Sequence, residues 1–139
     1  MKGTIDFAAL YEAFFKQSLE GILVVDKTHT IRFANPGAEK MLGYEKDELN
    51  DKKLDNIVPI KFHQECYAIW DRLFDLKEKH SSIKTIVTFQ KQKKVKVVAE
   101  IELARYLHPD EGTLLIGIFS DITKRFKDER DLKKKKKLY

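Results

Sequence analysis

The sequence predicts an α+β domain in which a five-stranded antiparallel sheet carries helices packed on one face. Periodic segments follow one another as helix, two strands, several helices, three strands and helix, without a parallel βαβ repeat. Polar turn clusters at 26–29 and 108–112 suit tight antiparallel hairpins. With 139 residues, 42% of them hydrophobic, the chain can bury one core of ordinary size. A doubly wound nucleotide-binding fold is therefore disfavoured.

Helical segments place apolar residues three and four positions apart, with charges on the opposite face. The predicted helices are Phe7 to Leu19, Gly37 to Leu42 and Phe62 to Lys79, with one or two short helical turns between Tyr44 and Pro59. Thr4 or Asp6 can cap the first helix. Asn35 followed by Pro36 suits the start of the second helix, and Gly43 suits its end.

Strands are predicted where apolar residues alternate or form short runs between turn signals. The predicted strands are Ile22 to Val25, Thr30 to Ala34, Ile83 to Phe89, Val95 to Leu107 and Thr113 to Ile122. The fourth strand keeps period two through Val97, Ala99, Ile101 and Leu103, as a sheet with one buried face requires.

The domain plan has three parts: residues 1–20 as an N-terminal cap or dimerisation helix, 21–123 as the core, and 124–139 as a basic signalling helix or linker. Residues 124–139 hold nine Lys or Arg against three Asp or Glu, so the net charge of +5 leaves −1 for residues 1–123. The run Lys133 to Lys137 is typical of a solvated tail. Docking to an anionic membrane or nucleic acid is the alternative, but no aromatics interleave the basic residues, so specific nucleic-acid binding is not expected.

Several functional classes are disfavoured by missing signals. No apolar stretch approaches the roughly 20 residues of a membrane span, and the N-terminus does not resemble a signal peptide, so a cytoplasmic location is expected. Cys66 is the single cysteine and cannot form an internal disulfide or, alone, a structural zinc site. There is no Gly-rich phosphate loop and no nucleophile signature, so an enzyme is not expected.

Four segments resemble the PAS family in order and spacing: EGILVVD, IRFAN and AEKMLGY near the start, and GIFSDITKR near the end. The resemblance covers nearly the whole chain. It implies a sensory module that binds a ligand between the sheet and the long helix and controls an output domain such as a histidine kinase, a cyclic-nucleotide enzyme or a transcription regulator. A homodimer through the terminal helices is also expected, because an apolar stripe on a peripheral helix needs a surface to cover it. Asp121 and Thr123 are then candidates for the signal exit, the place where a signal passes from the domain to its C-terminal helix. The alternative is that they only cap this helix.

The long helix holds the candidate pocket residues His63, Cys66, Tyr67 and Trp70. In haem-binding members the proximal histidine lies on this helix, whereas Cys66 occupies the resembling position here and His63 lies nearly one turn earlier, so haem is disfavoured. No Asn-Cys-Arg-Phe-like segment of the light-sensing flavin branch is present. Trp70, Tyr67 and Cys66 could line a redox-flavin pocket, but packing is the favoured role for Trp70.

Further candidates for the pocket wall come from the strands. Phe89, Ile118 and Ser120 are placed there without a fixed strand orientation, and Asn35 could contact a ligand, although helix capping is its simpler role. The sequence does not identify the ligand or a cofactor, and a pocket without any cofactor is an open alternative; no metal is expected.

Overall fold

The computed structural model describes residues 6–75, 82–91 and 95–138. Four α-helices are present there: α1 Phe7–Gln17, α2 Pro36–Leu42, α3 His63–Asp75 and α4 Thr123–Leu138. The five strands are β1 Gly21–Val25, β2 Ile31–Ala34, β3 Ser82–Gln90, β4 Lys96–His108 and β5 Gly112–Asp121. Short 3₁₀ turns at Leu54–Asn56 and Ile60–Phe62 match the short turns predicted before the long helix. The predicted end of that helix at Lys79 lies outside the described residues.

The strands form one antiparallel sheet in the order β2-β1-β5-β4-β3, which confirms the predicted fold class. The period-two residues of β4 share one face with alternate residues of its neighbours, as the pairs Ile101–Phe119 and Val97–Phe89 show. This inner face packs against α2, α3 and the 3₁₀ turns. The strand β3 is one edge of the sheet.

The core is centred on three large side chains, Trp70, Phe89 and Phe119, each at most 1% exposed. The rings of Phe89 and Phe119 meet at 5.0 Å between centroids with a 59° tilt, a favourable arrangement for aromatic quadrupoles. The Phe119 ring lies directly over Gly21, where a Cβ atom would collide with it. A side chain at residue 21 would therefore displace the centre of the core.

The predicted helix caps agree with the structure. The Asp6 side chain accepts a hydrogen bond from Ala9 N at 3.1 Å, so Asp6 caps α1, while Thr4 lies outside the described residues. Asn35 caps α2, Pro36 occupies its first turn, and Gly43 ends it with a left-handed φ of 75°. No helix within the described ranges is long and apolar enough to cross a membrane.

Candidate ligand cavity and signal exit

A cavity of about 100 Å³ lies between α3 and the edge strand β3. Its walls are mainly apolar, and the lining residues are Val58, Phe62, Glu65, Cys66, Ile69, Ile86, Val87 and Thr88. Glu65 and Ile86 are exposed, which places the opening toward them. The position between the sheet and the long helix is the one expected for a ligand, but most of the lining residues differ from those predicted.

Cys66 is the one predicted pocket residue that lines this cavity. It is 7% exposed, and the indole N–H of Trp70, one helical turn later, donates a hydrogen bond to its sulfur. Burial raises the pKa of the Cys66 thiol to about 11. The thiol is therefore neutral at physiological pH, and the thiolate needed for metal ligation or nucleophilic attack is scarce.

Trp70 itself packs inside the core rather than toward the cavity, consistent with the packing role favoured from the sequence. Its single N–H is used by Cys66. A buried tryptophan with a satisfied N–H stabilises α3 against the sheet and leaves no donor for a ligand.

His63 and Tyr67 lie on another side of α3 and do not line the cavity. Tyr67 stacks on His29 of the β1–β2 turn, with 4.3 Å between ring centroids and a 10° tilt. His29 Nε2 lies 2.8 Å from Asp71 Oδ1, and His63 Nε2 lies 2.7 Å from the carbonyl oxygen of Val58. The two His29 contacts hold α3, and with it one wall of the cavity, against the first hairpin, whereas the His63 contact joins the start of α3 to the segment before it.

Three strand candidates also lie elsewhere. Phe89 points into the core, whereas Ile118 and Ser120 lie on the outer face of the sheet, opposite the cavity. The placement of Ile118 and Ser120 in the pocket wall is corrected here, because alternation along β5 sends Phe119 inward and both of its neighbours outward. Ile118 remains 41% exposed.

Asn35 is fully buried and connects three elements instead of contacting the cavity. Its Oδ1 accepts from Ile22 N at 2.7 Å and from Ala38 N at 2.9 Å. Its Nδ2 donates to the carbonyl oxygens of Phe15 at 3.1 Å and Glu20 at 3.0 Å. Both acceptor positions and both N–H donors of the amide are thus occupied, so none remains for a ligand.

The predicted exit residues Asp121 and Thr123 form a hydrogen-bonded joint between β5, β4 and α4. Asp121 Oδ1 accepts from the Thr123 backbone N–H at 2.9 Å and from its hydroxyl at 2.5 Å. Thr123 Oγ1 also accepts from Val98 N at 2.9 Å, and Ile122 N donates to the Val98 carbonyl at 2.8 Å. The first turn of α4 is therefore attached to the neighbouring strand β4 as well as to β5.

An ion-pair network adds a second attachment for α4. Glu100 of β4 lies 3.2 Å from Lys84 Nζ of β3 and 3.3 Å from Arg125 of α4. Hydrogen bonds from Lys84 and Arg125 lower the pKa of the Glu100 carboxyl. Sequence reasoning missed this network, because its three members are separated along the chain and each resembles an ordinary surface charge.

The outer face of the sheet is partly covered by α1. Phe14 and Phe15 of α1 line an apolar groove together with Glu12, Ile22, Ile116 and Ile118, and Phe14, which is 69% exposed, forms its rim. Within the described ranges, no group of three or more His, Cys, Asp or Glu side chains comes together to hold a metal ion.

Comparison with known proteins gives a consistent result for the family. The sequence profile of the PAS domain matches residues 19–124. The chain therefore belongs to the PAS domain family. No curated protein matches the sequence.

Solved structures share the fold at low identity. A PAS domain of a Colwellia psychrerythraea protein is 16% identical and has a TM-score of 0.75, with 86% of this chain and 99% of that chain covered. A domain of a sensory box sensor histidine kinase/response regulator from Geobacter sulfurreducens is 19% identical with a TM-score of 0.65, covering 83% and 94%. The PAS domain of a LuxR-family transcriptional regulator from Burkholderia thailandensis, in complex with ethanol, is 12% identical with a TM-score of 0.65, covering 81% and 97%.

Proposed function

We propose that this PAS domain is a sensory module without catalytic activity, in which a small ligand in the cavity between α3 and β3 alters the attachment of α4. The observation that carries the proposal is that the paired strands β3 and β4 contact both the cavity and α4. Its β3 side forms a cavity wall at Ile86 to Thr88, and its β4 side holds α4 through Val98 and Glu100. A ligand that prefers one position of β3 would thereby bias the position of α4.

The described residues do not fit haem or flavin. A cavity of about 100 Å³ is well below the roughly 300–1,000 Å³ of drug-sized and cofactor sites. His63 is engaged with the Val58 carbonyl, and Cys66 is a neutral thiol held by Trp70. The cavity instead suits a molecule of a few heavy atoms, and the ethanol complex of the Burkholderia thailandensis regulator is an instance of such a ligand in a PAS domain.

A homodimer is part of the proposal, with a second copy of this chain on the outer face of the sheet. Phe14 projects from the rim of the apolar groove that it lines together with Phe15, Ile22, Ile116 and Ile118. A projection and a groove side by side on one surface are self-complementary, because a twofold axis can place each copy's Phe14 in the other's groove.

Phe14→Ser tests this dimer, because it removes the projecting ring from an already exposed position. Sedimentation velocity should show a weaker dimer for Phe14→Ser and an unchanged dimer for Leu107→Ser, which removes an exposed apolar side chain at the far hairpin of the sheet. A wild-type protein that is monomeric at all accessible concentrations would refute the homodimer.

The output partner is proposed from the family. The Geobacter sulfurreducens and Burkholderia thailandensis relatives belong to a sensor histidine kinase and a transcriptional regulator, so a domain of either kind, or a cyclic-nucleotide enzyme, is the partner that α4 would control. The cytoplasmic location remains a prediction, as does the alternative of anionic-surface docking through Lys133 to Lys137.

Ligand binding is tested by titrating ¹⁵N-labelled protein with uncharged fragments: ethanol, butan-1-ol, cyclopentanone, 2-pyrrolidinone and phenol. Binding in the cavity should shift the backbone amides of Cys66, Ile69 and Val87 in a saturable manner, and leave the amides of the distant β4–β5 hairpin unchanged. If no fragment shifts the cavity amides, the cavity is not a ligand site and the proposed function fails.

A further inference from the structure

The edge strand β3 presents its main chain to the cavity. In an antiparallel pair, successive residues point their N–H and C=O groups alternately toward the partner strand and away from it. Lys91 N donates to Val95 O across the β3–β4 hairpin, whereas Gln90 N donates to Ile57 O at 2.8 Å on the opposite side. The alternation therefore directs the main-chain groups of Thr88, two residues before Gln90, away from β4 as well.

Thr88 lies where this outward-facing edge borders the cavity. Ile86, Val87 and Thr88 are consecutive and all line it, which fits a strand that meets the cavity with its main chain as well as with alternate side chains. No hydrogen-bond partner for the N–H or C=O of Thr88 is found on this side among residues 6–75, 82–91 and 95–138. The neighbouring segment at Ile57 already pairs with the same edge at Gln90. The next outward-facing main-chain position of this edge, Thr88, two residues before Gln90, is therefore open to the cavity.

The geometry of an open strand residue selects a particular ligand group. A residue in a hydrogen-bonded antiparallel pair exchanges two bonds with the residue opposite, donating from its N–H and accepting at its C=O. An amide with its N–H and C=O on the same side, as in a lactam, can supply the complementary acceptor and donor. In a cavity with apolar walls, such a pair of bonds is favoured because polar groups left unpaired there are costly.

The charge of the cavity walls and the volume of the cavity restrict the class of ligand further. Among the residues that the structure describes, no Lys, Arg or His lines the cavity, and the carboxylate of Glu65 lies at its opening, so the described walls disfavour an anion. The raised pKa of the Cys66 thiol keeps that wall neutral. A cavity of about 150 Å³ accommodates benzene, so about 100 Å³ that is open on one side limits the ligand to roughly six heavy atoms.

We propose that the cavity binds a small uncharged ligand that carries a cis amide, of the lactam class, through the main-chain N–H and C=O of Thr88. The proposal rests on the proposed sensory function, whose cavity it fills. It specifies recognition by the strand edge rather than by a side chain.

A matched ligand series tests the recognised group, with 2-pyrrolidinone as the probe. Cyclopentanone has the same ring and the acceptor but lacks the N–H, and 2-pyrrolidinone-5-carboxylate adds a negative charge. In titrations followed by ¹H–¹⁵N correlation spectra, 2-pyrrolidinone should bind about fivefold more tightly than cyclopentanone, because cyclopentanone loses one hydrogen bond. Binding of 2-pyrrolidinone should also shift the Thr88 amide proton downfield. The carboxylate should bind at least about tenfold more weakly than 2-pyrrolidinone, because burial of its charge is unfavourable. Equal affinities for the three compounds would overturn the proposal.

Proline substitution tests the strand edge directly, because proline lacks the N–H and is tolerated on edge strands at outward-facing positions. Thr88→Pro should weaken 2-pyrrolidinone binding about fivefold. Ser82→Pro is the matched control: Ser82 has the same outward main-chain orientation in β3 but does not line the cavity, and affinity should change by less than about twofold. Unchanged 2-pyrrolidinone binding to a folded Thr88→Pro variant would overturn the proposal. If that variant does not fold, the ligand series tests the proposal by itself.

The outcomes separate the two proposals. If fragments shift the cavity amides but Thr88→Pro and the ligand series show no preference for the amide, recognition by Thr88 is refuted while the ligand-binding function stands. If no fragment reaches the cavity amides, the function itself is refuted.

Discussion

The amide of Asn35 is the polar centre around which the N-terminal half of the domain is arranged. Asn35→Ala removes the two hydrogen bonds that Oδ1 accepts from Ile22 N and Ala38 N, and the two that Nδ2 donates to the carbonyls of Phe15 and Glu20. The side chain is completely buried, and Ile22 and Ala38 are buried too, so water cannot readily replace the bonds to these two N–H groups. The variant should therefore destabilise the connection between β1, the end of α1 and the start of α2 together.

The expected loss in the free energy of unfolding follows from the number of hydrogen bonds that Asn35→Ala removes. Each contributes about 1 kcal/mol net, and a partner left unsatisfied in the interior costs about 1–3 kcal/mol. Loss of the helix cap alone costs about 1 kcal/mol. Because some of the four groups can relax toward solvent at the end of α1, the free energy of unfolding of Asn35→Ala should fall by about 3–5 kcal/mol.

Urea unfolding followed by far-ultraviolet circular dichroism measures this difference. Asn56→Ala is the matched control, since the Asn56 side chain donates one exposed hydrogen bond to the Lys53 carbonyl at 3.2 Å. Its free energy of unfolding should change by less than about 0.5 kcal/mol. A loss below about 1 kcal/mol for Asn35→Ala would show that the buried amide does not organise this region.

Two further predictions concern ionisable groups. Because burial raises the pKa of Cys66 to about 11, its reaction with Ellman's reagent at pH 8 should be at least about a hundredfold slower in the native protein than in the urea-unfolded chain, and equal rates would contradict its burial. Lys84 and Arg125 lower the pKa of Glu100 in the folded state, so its contribution to stability is present above the ordinary value of 4.5 and is lost as the pH falls through the lowered pKa. Wild type should therefore be more stable than Glu100→Gln at pH 7 and lose this advantage at pH 2–3 in urea titrations, whereas an identical difference at both pH values would refute the ion pairs.

The fold could be predicted because the strongest sequence signals are local. The alternation from Val97 to Leu103 fixes the buried face of β4, and the turn at 108–112 fixes its pairing with β5. The caps at Asn35 and Gly43 could be predicted for the same reason, since each acts on residues a few positions away.

The site was harder to predict because it depends on strand faces and distant contacts. β5 is apolar on both faces, from Leu114 to Phe119, so its pattern does not show which side chains point inward, and the sequence could not exclude Ile118 from the pocket wall. The contact between Tyr67 and His29 joins residues far apart in sequence, and no periodicity on α3 indicates it. The main-chain edge of β3 has no side-chain signature, so Thr88 could be found only from the strand order and register.

The central claim is that occupancy of the cavity changes the attachment of α4, and amide hydrogen exchange in the first turn of that helix measures it most directly. With the fragment that binds the cavity most tightly at saturation, the exchange rates of Phe126, in the first turn of α4, and of Ile122, directly before that helix, should change by at least about twofold, since Ile122 N donates to the Val98 carbonyl and Phe126 N donates to the Ile122 carbonyl. A ligand that saturates the cavity amides of α3 and β3 and leaves these rates unchanged would contradict the account.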